Sequence, residues 1–575
     1  GSSLDTLLVG TNHTTAIAIV GLVPGMQDPM DSVRAITAAH LNEFRRSHPA
    51  IALRWTGQPA LVGDLRAMGA REARRAEVRA LPVSLIVSIV AFGSIVSAGI
   101  AIGAAALSIL VTLGVMGALS GLVPASPFTR TLVPLVGLAL TVDYVLFLTR
   151  RSRDGADPRT LRRTIALAAG VVALGFTGLA LAPTGELRSA ALAGVVTCAV
   201  AALAAITLTP MRTGAAQQTQ QAQQPVNERW RRWGAFVTRR PFLVLIVSAL
   251  PLAALANSAR SARLVTPLEQ LLPAGMESAD AYRDLQRAGR AGAAAALRVL
   301  LVLPGSTPVL SADGWRALAA ATQSLRTVGG AADARSLATI GTRTLIAAER
   351  VLPQLVRDTY VSHDGTTALI DVLPDPTRGE VQAVELVRSV RALDAAKASG
   401  VPGARLLVAG LPAYALDYET ALRDALPTIV IATSIATLLA LIVAFRAPLV
   451  AIKAVALNLL VAAAAIGATV LVFQDGIGAS LIGHHALGSI FPTVPALAFG
   501  AAFGTSMDYE LFLLGGVREA RNAGLSETEA IVTGLARTGG LITRAAAVMA
   551  CLFLAFSTSA LLPLAMVVFA LAVAV

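Results

Sequence analysis

Charge is scarce in this 575-residue chain. Asp, Glu, Lys and Arg make up only 14% of it, against roughly 25% in soluble proteins. That shortage excludes an ordinary soluble enzyme, a disordered chain and a nucleic-acid binder. Lysine is nearly missing: Lys397 and Lys453 are the only two. No G-x-x-x-x-G-K motif occurs, so the chain carries no P-loop ATPase of its own. Cysteine is limited to Cys198 and Cys551, both in apolar segments, which argues against a disulfide framework or a cysteine metal site. What the chain has in excess is apolar sequence, 55% of all residues.

The apolar residues fall into runs near the roughly 20 residues that span a bilayer. Residues 81–129 contain no Asp, Glu, Lys or Arg. They are too long for one span and fit two, joined near Ser97-Ala98-Gly99. Further spans are read at 131–149, 164–185, 189–211, 241–259, 425–445, 454–474 and 490–514. The run 545–575 holds most of two more, with Pro563 near their junction. The reading gives eleven spans. Arginine clusters at 150–163, 210–240, 446–453 and 518–544 fall on one side if the spans alternate, and that side is read as cytoplasmic. Residues 1–80 and 260–424 then face outward. The Gln-rich stretch 213–226 reads as a flexible linker between two halves.

The halves repeat each other. Thr14-Thr15-Ala16 and Thr366-Thr367-Ala368 open two β-like runs. Gly57-Gln58-Pro59-Ala60 and Gly410-Leu411-Pro412-Ala413 follow at 43 and 44 residues. Each is preceded by a strand-like run, IALRW and ARLLVA. Helix-like stretches lie between, near 31–46 and 379–396. Each half then reaches an Asp-Tyr pair inside a span: Asp143-Tyr144 and Asp508-Tyr509. The second half has a span and about 100 further residues before its Thr-Thr-Ala; the first has thirteen residues. The expectation is that a first helix and part of a first outer domain are missing, and that Val575 interrupts a last helix. The whole would have twelve spans.

A carboxylate inside a span costs several kcal/mol unless it faces protein or water. Two at equivalent repeat positions call for a reason. If the halves face each other, Asp143 can meet Tyr509 and Asp508 can meet Tyr144. Protonation would cancel a charge and favour a second packing arrangement, the minimum for proton-coupled alternating access. The competing reading is a static hydrogen-bonded pair. Thr141 and Ser506, two residues before each Asp, either support a carboxylate or cap local backbone. Glu510 reads as a residue of a polar flank. Gly500 and Gly504, four apart, permit close helix approach. His484-His485 reads as a plain loop, Asn12-His13-Thr14 as a weak glycosylation match, and Arg71 to Arg79 as a charged helix entering the membrane at Pro82.

The segments FGSIVSAGI (92–100), LALTVDYVLFLTRRSRDG (138–155) and the long run from Phe503 to Ala546 resemble the MmpL group of the resistance-nodulation-division (RND) superfamily. The resemblance covers nearly the whole chain. It implies a mainly α polytopic membrane protein: a two-repeat transmembrane bundle with α/β extracytoplasmic porter domains. On this reading 1–80 is a partial first porter domain and 81–211 holds five spans. A linker follows at 212–240 and a span at 241–259. The second porter domain is 260–424, and 425–575 holds the last spans. The resemblance implies export of lipids or other hydrophobic compounds, driven by protons, with no cofactor and no metal. Asp143, Tyr144, Asp508 and Tyr509 would form the proton relay. Gly515-Gly516, Ala169-Gly170 and Gly539-Gly540 stand where the family usually has polar or Gly-Arg pairs, all at cytoplasmic edges. Membrane lipid or a hydrophobic substrate is the expected partner, with a homo-oligomer or accessory envelope proteins possible and no nucleic acid. Two rivals stay open: a lipid-modifying enzyme using Asp280, Asp364 or Asp417, and a non-transporting sensor or scaffold of the same architecture.

Overall fold

The computed structural model describes residues 14–18, 20, 29–121, 127–153, 157–209, 228–265, 275–288, 296–339, 354–375, 380–559 and 561–575. The linker 213–226 and the Asn12-His13 sequence lie outside them. In chain order come α1 (Pro29–Ser47), α2 (Gln58–Phe92), α3 (Ile95–Ala118), α4 (Pro127–Arg153), α5 (Pro158–Thr177) and α6 (Gly185–Leu208). Then follow α7 (Glu228–Arg239), α8 (Pro241–Ser258) and α9 (Glu277–Arg287). Next are β1 (Leu297–Val302), α10 (Ala312–Arg326), β2 (Ala331–Ser336), α11 (Gln354–Tyr360), β3 (Thr367–Pro374), α12 (Glu380–Arg391), α13 (Ala395–Ser399) and β4 (Arg405–Ala409). The chain closes with α14 (Leu411–Phe445), α15 (Pro448–Thr469), α16 (Thr493–Asn522), α17 (Glu527–Ser557) and α18 (Leu562–Ala574). It divides into two compact units, Gly1–Met68 with Pro267–Tyr418, and Gly69–Thr266 with Glu419–Val575.

The first unit is built on a four-stranded antiparallel sheet in the order β2-β3-β1-β4. Alternation along β1 and β3 puts Leu297, Val299, Leu301, Ile370 and Val372 on one face. Leu318 and Leu325 of α10 and Leu386, Val387 and Val390 of α12 join them in one buried core. The runs TTALIDV and ARLLVA supply β3 and β4. The corresponding IALRW run of the first half, residues 51–55, has no regular secondary structure; Arg45 donates a hydrogen bond to the Leu53 carbonyl at 3.0 Å. On the other face of the sheet, Arg298 of β1 and Arg335 of β2 flank Asp371 of β3 in register. The Tyr360 hydroxyl donates to Asp371 Oδ2 at 3.2 Å. Burial pushes the Asp371 carboxyl up, against the pull of Arg298, the Tyr360 hydroxyl and Arg335. Burial and the neighbouring Asp371 push the Tyr360 phenol up to about 12.

The second unit is a helical bundle. Eight described helices are long and apolar enough to cross a membrane. The three remaining expected runs fall on the apolar end of α2, on α16 and on α18. The first break comes earlier than the sequence suggested. α2 ends at Phe92, Gly93 takes φ +65°, and the Ser94 side chain caps α3 through the Ser97 N–H. Gly93 is the residue that tolerates this left-handed turn, and the serine supplies the cap; Ser97-Ala98-Gly99 stays helical. Arg150 of α4 donates to the carbonyls of Ala91 and Phe92 at 2.9 and 3.1 Å, satisfying the orphan acceptors of the α2 terminus. α4 packs against α3 and α6, α16 against α5 and α17, and α15 against α8.

Candidate functional site in the helical bundle

Asp143 sits on α4 and is 1% exposed; Tyr144 and Thr141 are completely buried beside it in sequence. A carboxyl so enclosed needs a partner. It finds one from the other half of the sequence. The Tyr509 hydroxyl of α16 donates to Asp143 Oδ2 at 2.6 Å, and the sulfur of buried Met549 on α17 lies 2.7 Å from the same hydroxyl. Asp143 Oδ1 and the Thr141 hydroxyl have no hydrogen-bond partner among the described residues. The structure thus brings Asp143 and Tyr509 together, as facing repeats require. Asp508 lies between Met507 and Tyr509 on α16, but its side chain is outside the described part of the structure, and with it the Asp508–Tyr144 half of the expectation.

Among the described residues Ser506 bonds an amide and not a carboxylate. Its hydroxyl donates to Asn458 Oδ1 at 2.6 Å. Asn458, on α15, is buried at 4% exposure, and its Nδ2 has no partner among the described residues. Sequence reasoning missed Asn458, although an amide inside the apolar run 454–474 was the available signal. Glu510 forms an ion pair with Lys453 of α15 at 3.1 Å, consistent with a polar flank. His484 is a packing residue: its Nε2 lies 2.9 Å from the Ser557 carbonyl. No cluster of three potential metal ligands occurs among the described residues.

Two more contacts run between α4 and α16 below the Asp143–Tyr509 bond. Phe147 and Phe512 stack with ring centroids 4.0 Å apart. Arg151, largely buried, pairs with Glu519. Asp143, Phe147 and Arg151 are four residues apart, one stripe of α4. The opposite flank of α16 is different. Gly500 and Gly504 lie against α5: a Cβ on Gly504 would meet the Val172 carbonyl oxygen at 2.8 Å, and one on Gly175 would meet the Gly500 carbonyl oxygen at 2.5 Å. Small residues here let two backbones touch.

A family model describing the MMPL family matches residues 2–244 and 270–575. The chain belongs to the MMPL family. It is a multi-pass membrane protein. The mycolic acid-containing lipids exporter MmpL11 of Mycolicibacterium smegmatis is 28% identical over 526 residues, covering 87% of this chain and 52% of that protein. The trehalose monomycolate exporter MmpL3 of the same organism is 24% identical over 576 residues, covering 91% and 54%. The putative membrane protein SCO6666 of Streptomyces coelicolor is 29% identical over 584 residues, covering 99% and 76%. The chain spans about half the length of the mycobacterial relatives it matches. Among solved structures, a heavy metal efflux pump superposes with TM-score 0.52 at 14% identity, over 89% of this chain and 68% of that one. At that identity the likeness is one of fold, and the fold is the RND type.

Proposed function

We propose that this chain is the working core of a proton-driven exporter of lipids or other hydrophobic compounds. The observation that carries the reading is the buried Asp143 carboxyl hydrogen-bonded at 2.6 Å to Tyr509 of the other half. An ionised Asp143 accepts the phenol proton in a hydrogen bond and holds α16 to α4. A protonated Asp143 has lost the charge that makes the bond strong, and its own O–H becomes a donor. The phenol is then free to point its hydrogen elsewhere, toward Met549. Each proton that enters and leaves therefore changes the energy of the contact between the halves, which is what alternating access needs. Asp508 and Tyr144 occupy the equivalent repeat positions and would complete the relay. The proton is the coupling ion and no cofactor is required.

Substrate class is carried over from relatives named as exporters of mycolic acid-containing lipids and of trehalose monomycolate. Export proceeds from the membrane toward the side that holds residues 1–80 and 260–424. The enzyme alternative has less support, because its three candidate acids are engaged. Asp280 pairs with Arg283, Asp417 with Arg391, and Asp364 accepts from the Thr366 N–H and hydroxyl. A sensor or scaffold should tolerate neutral aspartates; an exporter should not. The test is a lipid profile. The gene is expressed in a host deleted for it, beside Asp143→Asn and Asp508→Asn versions matched for membrane abundance. Surface and internal lipids are compared by untargeted mass spectrometry. One lipid class should reach the surface only with both aspartates intact. Equal profiles, with a lipid-linked function retained, would move the sensor or scaffold reading ahead.

A further inference from the structure

Helix α7 has two faces with different fates. One is keyed to α17: the Trp230 ring covers Gly539, where a Cβ would lie 2.5 Å from the indole, and Gly234 lies against Val532, with a Cβ 3.2 Å from its Cα. The other face is open. Trp233 is 47% and Phe236 40% exposed, and the two rings stack with centroids 5.5 Å apart. Two large aromatics side by side in water are an unfavourable arrangement. Arg229 and Arg232 stand four and one residues before Trp233, and Arg239 and Arg240 close the helix. Against them stands one acid, Glu228, already paired with Arg231 at 2.9 Å and near Arg232 at 3.5 Å. Arg229, Arg239 and Arg240 have no ion-pair partner among the described residues. The preceding segment 213–226 contains no Asp, no Glu and no aromatic residue, so it offers neither charge nor ring to this face.

The next element says what covers it. The chain leaves helical geometry at Arg240 (φ −133°, ψ 56°) and enters α8, which has no buried residue at all. Phe242 is 78% exposed, and Leu245, Ile246 and Val247 are each more than half exposed. Such a helix is solvated by lipid on every free side. Nineteen residues separate Arg240 from Arg260, about 28 Å of helix, close to the hydrocarbon thickness of a bilayer. Arg239 and Arg240 therefore mark a membrane boundary. The Trp233–Phe236 face lies immediately before that boundary and is continuous in sequence with the lipid-facing span.

We propose that α7 and the Arg239-Arg240 corner form a binding surface for anionic phospholipid, with Trp233 and Phe236 at the headgroup–acyl boundary and Arg229, Arg232, Arg239 and Arg240 on headgroup phosphates. The residue types match the occupant. Trp is favoured at membrane interfaces, arginine extends its charged end from an apolar stem, and a basic cluster at the surface selects negative lipid. Since the opposite face grips α17, which carries Met549 beside Tyr509, the headgroups would hold in place an element of the proposed site.

The test uses the full 575-residue chain in lipid nanodiscs. A Trp55→Phe/Trp315→Phe background leaves Trp230 and Trp233, and adding Trp233→Phe isolates the Trp233 signal by difference. Brominated phosphatidylglycerol in phosphatidylcholine is compared with brominated phosphatidylcholine in phosphatidylglycerol, each titrated over the same range of mole fractions. Brominated phosphatidylglycerol should quench Trp233 at a mole fraction at least about fivefold lower than brominated phosphatidylcholine does. An Arg229→Gln/Arg232→Gln/Arg239→Gln/Arg240→Gln version with an unchanged melting temperature should lose the preference. Should that version fail to fold, Arg229→Gln/Arg232→Gln, both on the exposed face, should lose a measurable part of it. Equal quenching by the two brominated lipids would overturn the proposal. So would no quenching of Trp233 by either, which would mean water or a protein occupies this face.

Discussion

Against α5, helix α16 presents Gly500 and Gly504; against α4 it presents Tyr509, Phe512 and Glu519. The first contact brings backbone against backbone, with only the Val172 and Leu179 side chains beside the glycines. The second is made by long side chains reaching across: a phenol to a carboxyl, a ring on a ring, a carboxylate to a guanidinium. A glycine seam has one geometry, because closely packed backbones cannot slide without losing dispersion contacts on both sides. A seam of long polar and aromatic side chains has several, because rotamers and protons can change while the helices persist. The α5 side is thus the fixed flank of α16 and the α4 side the one on which a proton can act.

The comparison can be broken most severely on the fixed flank. Gly175→Leu would drive its Cβ into the Gly500 carbonyl and force α5 from α16. We expect a loss of about 3 kcal/mol or more, read as little folded protein by size-exclusion in detergent, whatever the pH. On the α4 flank the pattern should invert. Tyr509→Phe leaves the buried Asp143 carboxyl without its hydrogen-bond donor and should cost about 1–3 kcal/mol of stability, while lipid export falls at least ~10-fold. Export that survives Tyr509→Phe would reduce the Asp143 contact to a static brace. Phe512→Leu keeps an apolar side chain but loses the stack on Phe147, expected to cost about 1 kcal/mol in thermal melting, with a smaller loss of export than Tyr509→Phe.

The smallest effect sharpens the comparison from outside the bundle. Tyr360–Asp371 is also a tyrosine–aspartate pair, yet both residues belong to the second half of the sequence, and the pair lies between Arg298 and Arg335. Its role should be stability alone. The folded state raises the Asp371 carboxyl above its ordinary value, so the charged form is disfavoured by folding. That cost is full above the raised value and fades as pH falls through it. Melting temperature should therefore gain a small contribution on mild acidification, and Asp371→Asn should abolish that contribution without touching export. At the alkaline end, Tyr360 should stay protonated until about 12, visible by ultraviolet difference against Tyr360→Phe.

Much of this was legible in the sequence for a simple reason: a charge in an apolar run is conspicuous. Asp143 stood out at once, and the repeat pointed to its partner Tyr509. Gly500 and Gly504 were readable because a four-residue glycine spacing has one common use. The sheet was half readable. TTALIDV and ARLLVA carry β-branched and aliphatic residues, but the β2 sequence AADARS does not; pairing with β3 makes it a strand. The break at Gly93 was displaced because Ser97-Ala98-Gly99 looked equally permissive; the Arg150 contacts to Ala91 and Phe92, from another helix, hold the actual end. Asn458 could not be read as significant from its own segment, since its meaning comes from Ser506, 48 residues away. The Phe147–Phe512 stack was invisible because aromatic residues in a span can equally face lipid.

The most direct test of the central claim is pH-difference infrared spectroscopy of the reconstituted chain. If Asp143 binds and releases a proton against Tyr509, a carboxylic C=O band should appear on acidification, vanish in Asp143→Asn and move in Tyr509→Phe. A spectrum in which no titrating carboxyl band depends on Asp143, across the pH range where the protein stays folded and exports lipid, would contradict the account.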